Sequence, residues 1–269
     1  MHIGGQLRER DDDPPRAEAR PEQPRPEHVR SWLRVPRTLG LPGWVVARLG
    51  ANVACELESR RGRALDDVVF GIVDLETTGL SAERCRILEI GLVALQGTRV
   101  LGTWESLVDV CGPVPSGITA LTGIHDELLE GAPCEGDALA AVAAFIAEHK
   151  VDVLVAHNAR FDRGFLQRAW REHGMEPALP PFLCSVRAAR RYVRAQRYGL
   201  DMLIEHLSIP VRARHRALGD AEMTADLWLE LLARARLAGV HTLEALRKVA
   251  EVKTGRAPRP RVRVVDLMP

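Results

Sequence analysis

Apolar and polar positions along the middle of the chain follow two alternating periods. Val68–Asp74 is a short apolar run that ends in Leu75-Glu76-Thr77-Thr78-Gly79, which predicts a central strand running into a turn. Arg86–Leu95 and Arg99–Val110 continue as two further strands, and Gly97 between them predicts a hairpin or meander. The pattern then lengthens to the helical period. Ala138–His149 carries Leu139, Val142 and Ile146 on one stripe. Val151–Ala156 reads as a buried strand, and Phe161–His173 as a helix facing inward through Phe161, Phe165, Leu166, Ala169 and Trp170. Ser185–Arg197, Leu200–Leu207 and Asp220–Ala235 are predicted as further helices. Early strands followed by alternating helices predict an α/β fold, a mixed central sheet flanked by helices.

The flanks differ in character. Residues 1–30 are rich in Arg, Pro, Asp and Glu and are expected to form a disordered tail, because they cannot bury enough apolar surface to offset chain entropy. Residues 31–65 are expected to form a helical extension, with Val45, Leu49, Val53 and Leu57 recurring every four residues. Such a helix can pack on the main domain or dock a partner. The main domain is expected over 66–236, and 237–269 should hold a short helix around Leu243–Val252 and a basic tail, Arg256–Arg263.

Composition narrows the functions. A net charge of +1 over 269 residues excludes a basic coat for nucleic acid, so any nucleic-acid footprint must be local. The five cysteines, Cys55, Cys85, Cys111, Cys134 and Cys184, are odd in number and form no C-x-x-C. They argue against a disulfide framework or zinc ribbon and for free, mostly buried thiols in a reducing cytoplasm. No signal peptide is visible, and no stretch approaches the roughly 20 apolar residues that a membrane span needs.

Three segments carry chemistry. Asp74 and Glu76 stand two apart at a strand end, so both carboxylates point to one face, a costly arrangement unless a cation binds there. The second segment is His157-Asn158-Ala159-Arg160-Phe161-Asp162, with Asp162 in a first helical turn. The third is His215-Arg216-Ala217-Leu218-Gly219-Asp220, with Asp220 opening an amphipathic helix (Met223, Leu227, Leu231). Singly, Asp162 and Asp220 serve helix N-termini, and His215 is a surface histidine. Together, four acids at one sheet edge suit hard cations, Mg²⁺ or Mn²⁺, and two such ions are a known device for in-line phosphodiester cleavage. Histidine is the natural base near neutrality.

These segments, in order and spacing, resemble the three motifs of the DEDDh 3′→5′ exonuclease superfamily, to which the epsilon proofreading subunit of bacterial replicative DNA polymerase belongs. The resemblance covers roughly residues 68–236. It implies a ribonuclease H-like fold, two divalent ions (Mg²⁺ or Mn²⁺) on Asp74, Glu76, Asp162 and Asp220, and His215 as general base. It also implies a pocket for the 3′-terminal nucleotide, with Leu121 and Thr122 of the segment Ile118–Ile124 lying against it and Thr77, His157, Asn158 and Phe161 lining it. Single-stranded or frayed DNA 3′ ends are then the expected substrate, with no membrane involved. A polymerase subunit is one candidate partner, but the chain shows no sliding-clamp peptide, so a stand-alone exonuclease is equally open. An RNA-trimming exonuclease of the same superfamily and a catalytically silent binding module are the alternatives. A separate expectation concerns Arg187, Arg190, Arg191, Arg194 and Arg197. On one continuous helix they would share an arc of about 120° and could track a nucleic-acid backbone, or simply face solvent.

Overall fold

Strand β1, Val69–Thr77, shows in its own burial why it ends where chemistry can begin. It is buried on both faces from Val69 to Val73, then alternates, with Asp74 and Glu76 half-buried and Leu75 and Thr77 buried. The structure is a computed structural model, and it describes residues 62–252. The expected disordered tail, the helix at 45–57, Cys55 and the basic stretch 256–263 lie outside those residues.

β1 pairs antiparallel with β2 (Ile87–Gln96), which forms a hairpin with β3 (Arg99–Leu107). Gly97 in that turn has φ 59°, a left-handed conformation open to glycine at no steric cost. On its other side β1 pairs parallel with β4 (Val153–Ala156), which pairs parallel with β5 (Phe182–Cys184). The five-stranded sheet has the order β3-β2-β1-β4-β5. Pairing to β4 covers only Phe70 to Ile72. The stretch from Asp74 onward therefore runs past the end of β4 and is open to other elements on that side.

The helices are α1 (Ser116–Thr122), α2 (Asp126–Leu129), α3 (Glu135–Glu148), α4 (Arg160–Glu172), α5 (Ser185–Tyr192), α6 (Leu200–His206), α7 (Ala217–Leu237) and α8 (Leu243–Ala250). They cover both sheet faces. On one face, Phe70, Ile72, Val93, Leu95 and Val155 pack against α5, α6, α7 and α8. Phe70 meets Trp228 of α7 edge to face, with ring centroids 5.6 Å apart. On the other, Val73, Leu75, Ile90, Leu92 and Leu154 pack against α3 and α4. The two-residue strand period assigns Asp74 and Glu76 to the α7 face.

Three expectations need correction. The helix expected over Ser185–Arg197 ends at Tyr192, because Val193 turns extended (φ −121°, ψ 136°) and buries its side chain in the core. Arg194 and Arg197 therefore leave the arc shared by Arg187, Arg190 and Arg191, and no single helical track of five arginines exists. Asp220 does not open its helix, which starts three residues earlier at Ala217. Finally, Cys111 and Cys134 are exposed rather than buried, although Cys85, Cys111, Cys134 and Cys184 are all free thiols. No helix among the described residues is long and apolar enough to cross a membrane.

Candidate active site

Four acids and a histidine meet where β1 outruns β4. Asp74 and Glu76 come from β1, Asp162 from the first turn of α4, and Asp220 from the first turn of α7. Ligating atoms of Glu76, His215 and Asp220 lie within 4.8 Å of one another. Asp74 feels the charges of Asp162, Asp220 and Glu76, so all four carboxylates share one neighbourhood.

The loop before α7 is tightly folded. His215 is in the left-handed region at φ 56°, and its backbone N–H donates to Asp220 Oδ2 at 3.2 Å. A Cβ on Gly219 would lie 1.8 Å from the carbonyl oxygen of Ala213, so only glycine lets this loop close.

Burial raises every acid in the cluster, and repulsion from its neighbours adds to the rise of Asp74, Glu76 and Asp162. Burial, then the charges of Asp162, Asp220, Glu76 and Glu89, holds Asp74 well above the usual carboxylate range. Burial, then Asp220 and Glu89, pushes Glu76 up to about 7, against the pull of Arg216. Asp162, only 3% exposed, also rises to about 7 through burial, although backbone hydrogen bonds at Asp162 and Leu75 draw it back. Asp220 is raised by burial and partly relieved by the His215 N–H. Crowded carboxylates that resist ionisation are an oxygen-rich donor set short of positive charge, which is what a hard divalent cation requires.

The expected nucleotide-pocket residues divide. Thr77 is buried and its hydroxyl donates to the Gly79 carbonyl at 2.7 Å. Thr122 is buried too, donating to the Ile118 carbonyl at 3.0 Å and accepting the Ile124 N–H at 3.1 Å. Leu121 is 55% exposed on α1, a helix that packs through Ile118 on Leu88, next to Glu89 of β2. Phe161 is half-buried against Phe165, with centroids 4.9 Å apart. Asn158 is exposed at φ 61° and its carbonyl accepts the Phe161 N–H, turning the chain from β4 into α4. Both ring nitrogens of His157 are engaged within the protein. Nε2 donates to the Tyr198 carbonyl at 3.0 Å, leaving Nδ1 to accept the Ser185 hydroxyl at 2.8 Å. Burial lowers this imidazole to about 4, so it is neutral and ties the end of β4 to α5 and to the 193–199 segment.

Sequence reasoning missed two participants. Glu89, in register opposite Glu76, is 1% exposed and receives the guanidinium of Arg216. Its signal was there to find: a lone acid inside the apolar run Ile87–Leu95 must have a partner.

Residues 72–228 match the exonuclease family model called RNase_T, and the chain belongs to that family. Its relatives include the PolC-type DNA polymerase III of Bacillus subtilis, 33% identical over 180 residues, which cover 66% of this chain and 12% of the polymerase. The chain thus spans about an eighth of the PolC-type relatives it matches. Among solved structures, exonuclease X in complex with 5′-overhanging duplex DNA aligns at TM-score 0.52 and 24% identity, covering 67% of this chain and 98% of that one. The nuclease domain of 3′hExo, a DEDDh family member bound to rAMP, aligns at 0.53 and 17%, covering 61% and 92%. The fold is that of the ribonuclease H-like DEDDh exonucleases, and the family implies dependence on a divalent metal.

Proposed function

We propose that this protein is a 3′→5′ exonuclease that removes nucleotides from DNA ends with the help of two divalent cations, Mg²⁺ or Mn²⁺. The observation that carries the reading is the cluster of four carboxylates from three elements, all raised by burial and three of them also by their neighbours' charge, with His215 beside Asp220. Asp74, Glu76, Asp162 and Asp220 hold the cations, which when bound supply Lewis-acid stabilisation of phosphoryl charge. His215 accepts the proton of the attacking water, from a loop whose conformation is tied to Asp220. Leu121 offers an exposed apolar surface on which any terminal base can stack, so selection is by strand end rather than by sequence. Thr77, Thr122, Asn158 and Phe161 shape the pocket around it, and His157 holds its floor through Ser185 and Tyr198.

In this reading residues 66–236 are the exonuclease domain. DNA is favoured as substrate because the PolC-type relatives are DNA polymerases and exonuclease X is in complex with DNA. Proofreading beside a polymerase and repair at free ends are both compatible with it, in a cytoplasmic setting.

The test is direct. The full chain is incubated with 5′-labelled single-stranded DNA and Mg²⁺ or Mn²⁺, with matched RNA alongside and with EDTA and Asp162→Ala as controls. A ladder shortening from the 3′ end, lost in both controls, is expected. Faster RNA shortening would move the substrate to RNA. An intact fold that binds Mn²⁺ but shortens neither substrate would leave a binding module as the better reading.

A further inference from the structure

Glu89 stands in the middle of β2, a strand otherwise apolar and buried from Ile87 to Leu95. Everything it accepts comes from the start of α7. Oε1 takes Arg216 Nη2 at 2.6 Å and Nε at 3.0 Å, and Oε2 takes the backbone N–H of Ala217 at 2.8 Å. Two residues on, and so on the same face, Gly91 admits the α7 backbone. A Cβ there would lie 2.3 Å from the carbonyl carbon and oxygen of Ala217. Consecutive same-face positions of β2 thus clamp residues 216 and 217, which lie between His215 and Asp220.

Stability alone does not account for this arrangement. A buried ion pair can often be replaced by apolar side chains at little cost, because desolvation offsets the attraction. Here the pair also brings a fifth acid up against Glu76, opposite it in register, adding repulsion to a site already short of positive charge. What the pair supplies is geometry. The forked guanidinium and the helix N–H together fix translation and rotation of the α7 start, and the left-handed backbone at His215 needs such holding.

We propose that Glu89 and Arg216 are positioning residues, a latch between β2 and α7 that sets His215 and Asp220 against Asp74 and Glu76. The inference rests on the exonuclease reading for its catalytic readout, but not for its metal readout.

The experiment compares the full-length wild type with Glu89→Gln and Arg216→Lys. The second keeps the charge and removes the fork. Three quantities are measured: kcat and KM on a 5′-labelled oligonucleotide, the Mn²⁺ dissociation constant by electron paramagnetic resonance, and the melting temperature. In both variants kcat should fall and Mn²⁺ binding weaken, each by about ten- to a hundredfold, as for other outer partners of metal ligands. KM should stay within about threefold, since the lost interaction is with the protein and not the substrate. If Glu89→Gln does not fold, Arg216→Lys decides, because that side chain is 42% exposed. Wild-type kcat and Mn²⁺ affinity in a folded Arg216→Lys would overturn the proposal. So would a rise in KM alone, which would put Arg216 on the substrate. If the wild type cleaves nothing, the functional reading fails, and the Mn²⁺ comparison still decides the latch.

Discussion

The protein gathers charge in two places and builds them in opposite ways. Beside α3 and α4, Arg168 is 3% exposed, with Nη2 on Glu135 at 2.9 Å and Nη1 on Glu172 at 2.7 Å. Arg86 and His173 add contacts to the same two acids. Burial acts to raise Glu172, but the hydrogen bonds and charges of Arg168 and Arg86 win and lower it. Past the end of β4 the balance is reversed: four acids crowd together, Arg216 is turned to Glu89, and the carboxylates of the cluster rise. One cluster balances its charges within the folded chain. In the proposed reading the other is completed by a bound cation, which would separate a structural charge network from a working one.

The comparison can be broken at several points. The largest expected effect is on turnover. Asp162→Asn should lower cleavage of labelled DNA by several orders of magnitude while leaving the fold intact, because it removes one ligand from a preformed set. Turnover near wild type would place the chemistry elsewhere. Next in size, Arg168→Met should destabilise the fold by about 1.5–3 kcal/mol, since it takes from the largely buried Glu135 its shortest ion-pair partner. Denaturant unfolding measures this, and kcat of the folded variant should stay close to wild type. A loss of kcat without loss of stability would mean that the two clusters are coupled.

The third prediction concerns pH. In metal-free protein Asp162 moves from 3.8 unfolded to about 7 folded, and Glu76 from 4.5 to about 7. The folded state therefore holds these protons more tightly than the unfolded state. Their contribution to stability is fully present below about pH 4 and is lost as the pH rises through about 7. In EDTA, Asp162→Asn should thus gain on wild type in melting temperature between pH 5 and pH 8, and saturating Mn²⁺ should restore the wild type's advantage. Parallel melting curves would show that the acids are not strained. The smallest effect is expected at Leu121→Ala. Loss of one stacking surface should weaken single-stranded DNA binding by about tenfold or less, read by fluorescence anisotropy, with no change in melting.

Much of this was legible in the sequence where local signals and the fold agree. The β1 run, the hairpin at Gly97 and the stripe of α3 fall where the periodicity puts them. The failures occur where distant contacts outrank local preference. α5 stops at Tyr192 although the arginines after it favour helix, because Val193 is drawn into the core and its carbonyl accepts the Tyr198 hydroxyl at 3.1 Å. Tyr198 is held in turn by His157, so the helix end is decided by a histidine on the far side of a strand. β5 has three residues, too few for a period to show, and α1 and α2, with seven and four, span two helical turns or fewer. Glu89 was passed over because a strand pattern says that a residue is buried, not what it must be buried with.

Ala64 bridges to Thr242, Arg63 pairs with Asp152 just ahead of β4, and Val252 hydrogen-bonds to Phe182, the first residue of β5. Residues 63–64, 242 and 252 are therefore fastened at the edge where the parallel strands start, whereas the acids stand where β1 finishes. A fold wired in this way behaves as a cassette. Its attachments lie at one edge and the cluster of acids at the opposite one, an arrangement compatible with a domain that matches about an eighth of its polymerase relatives.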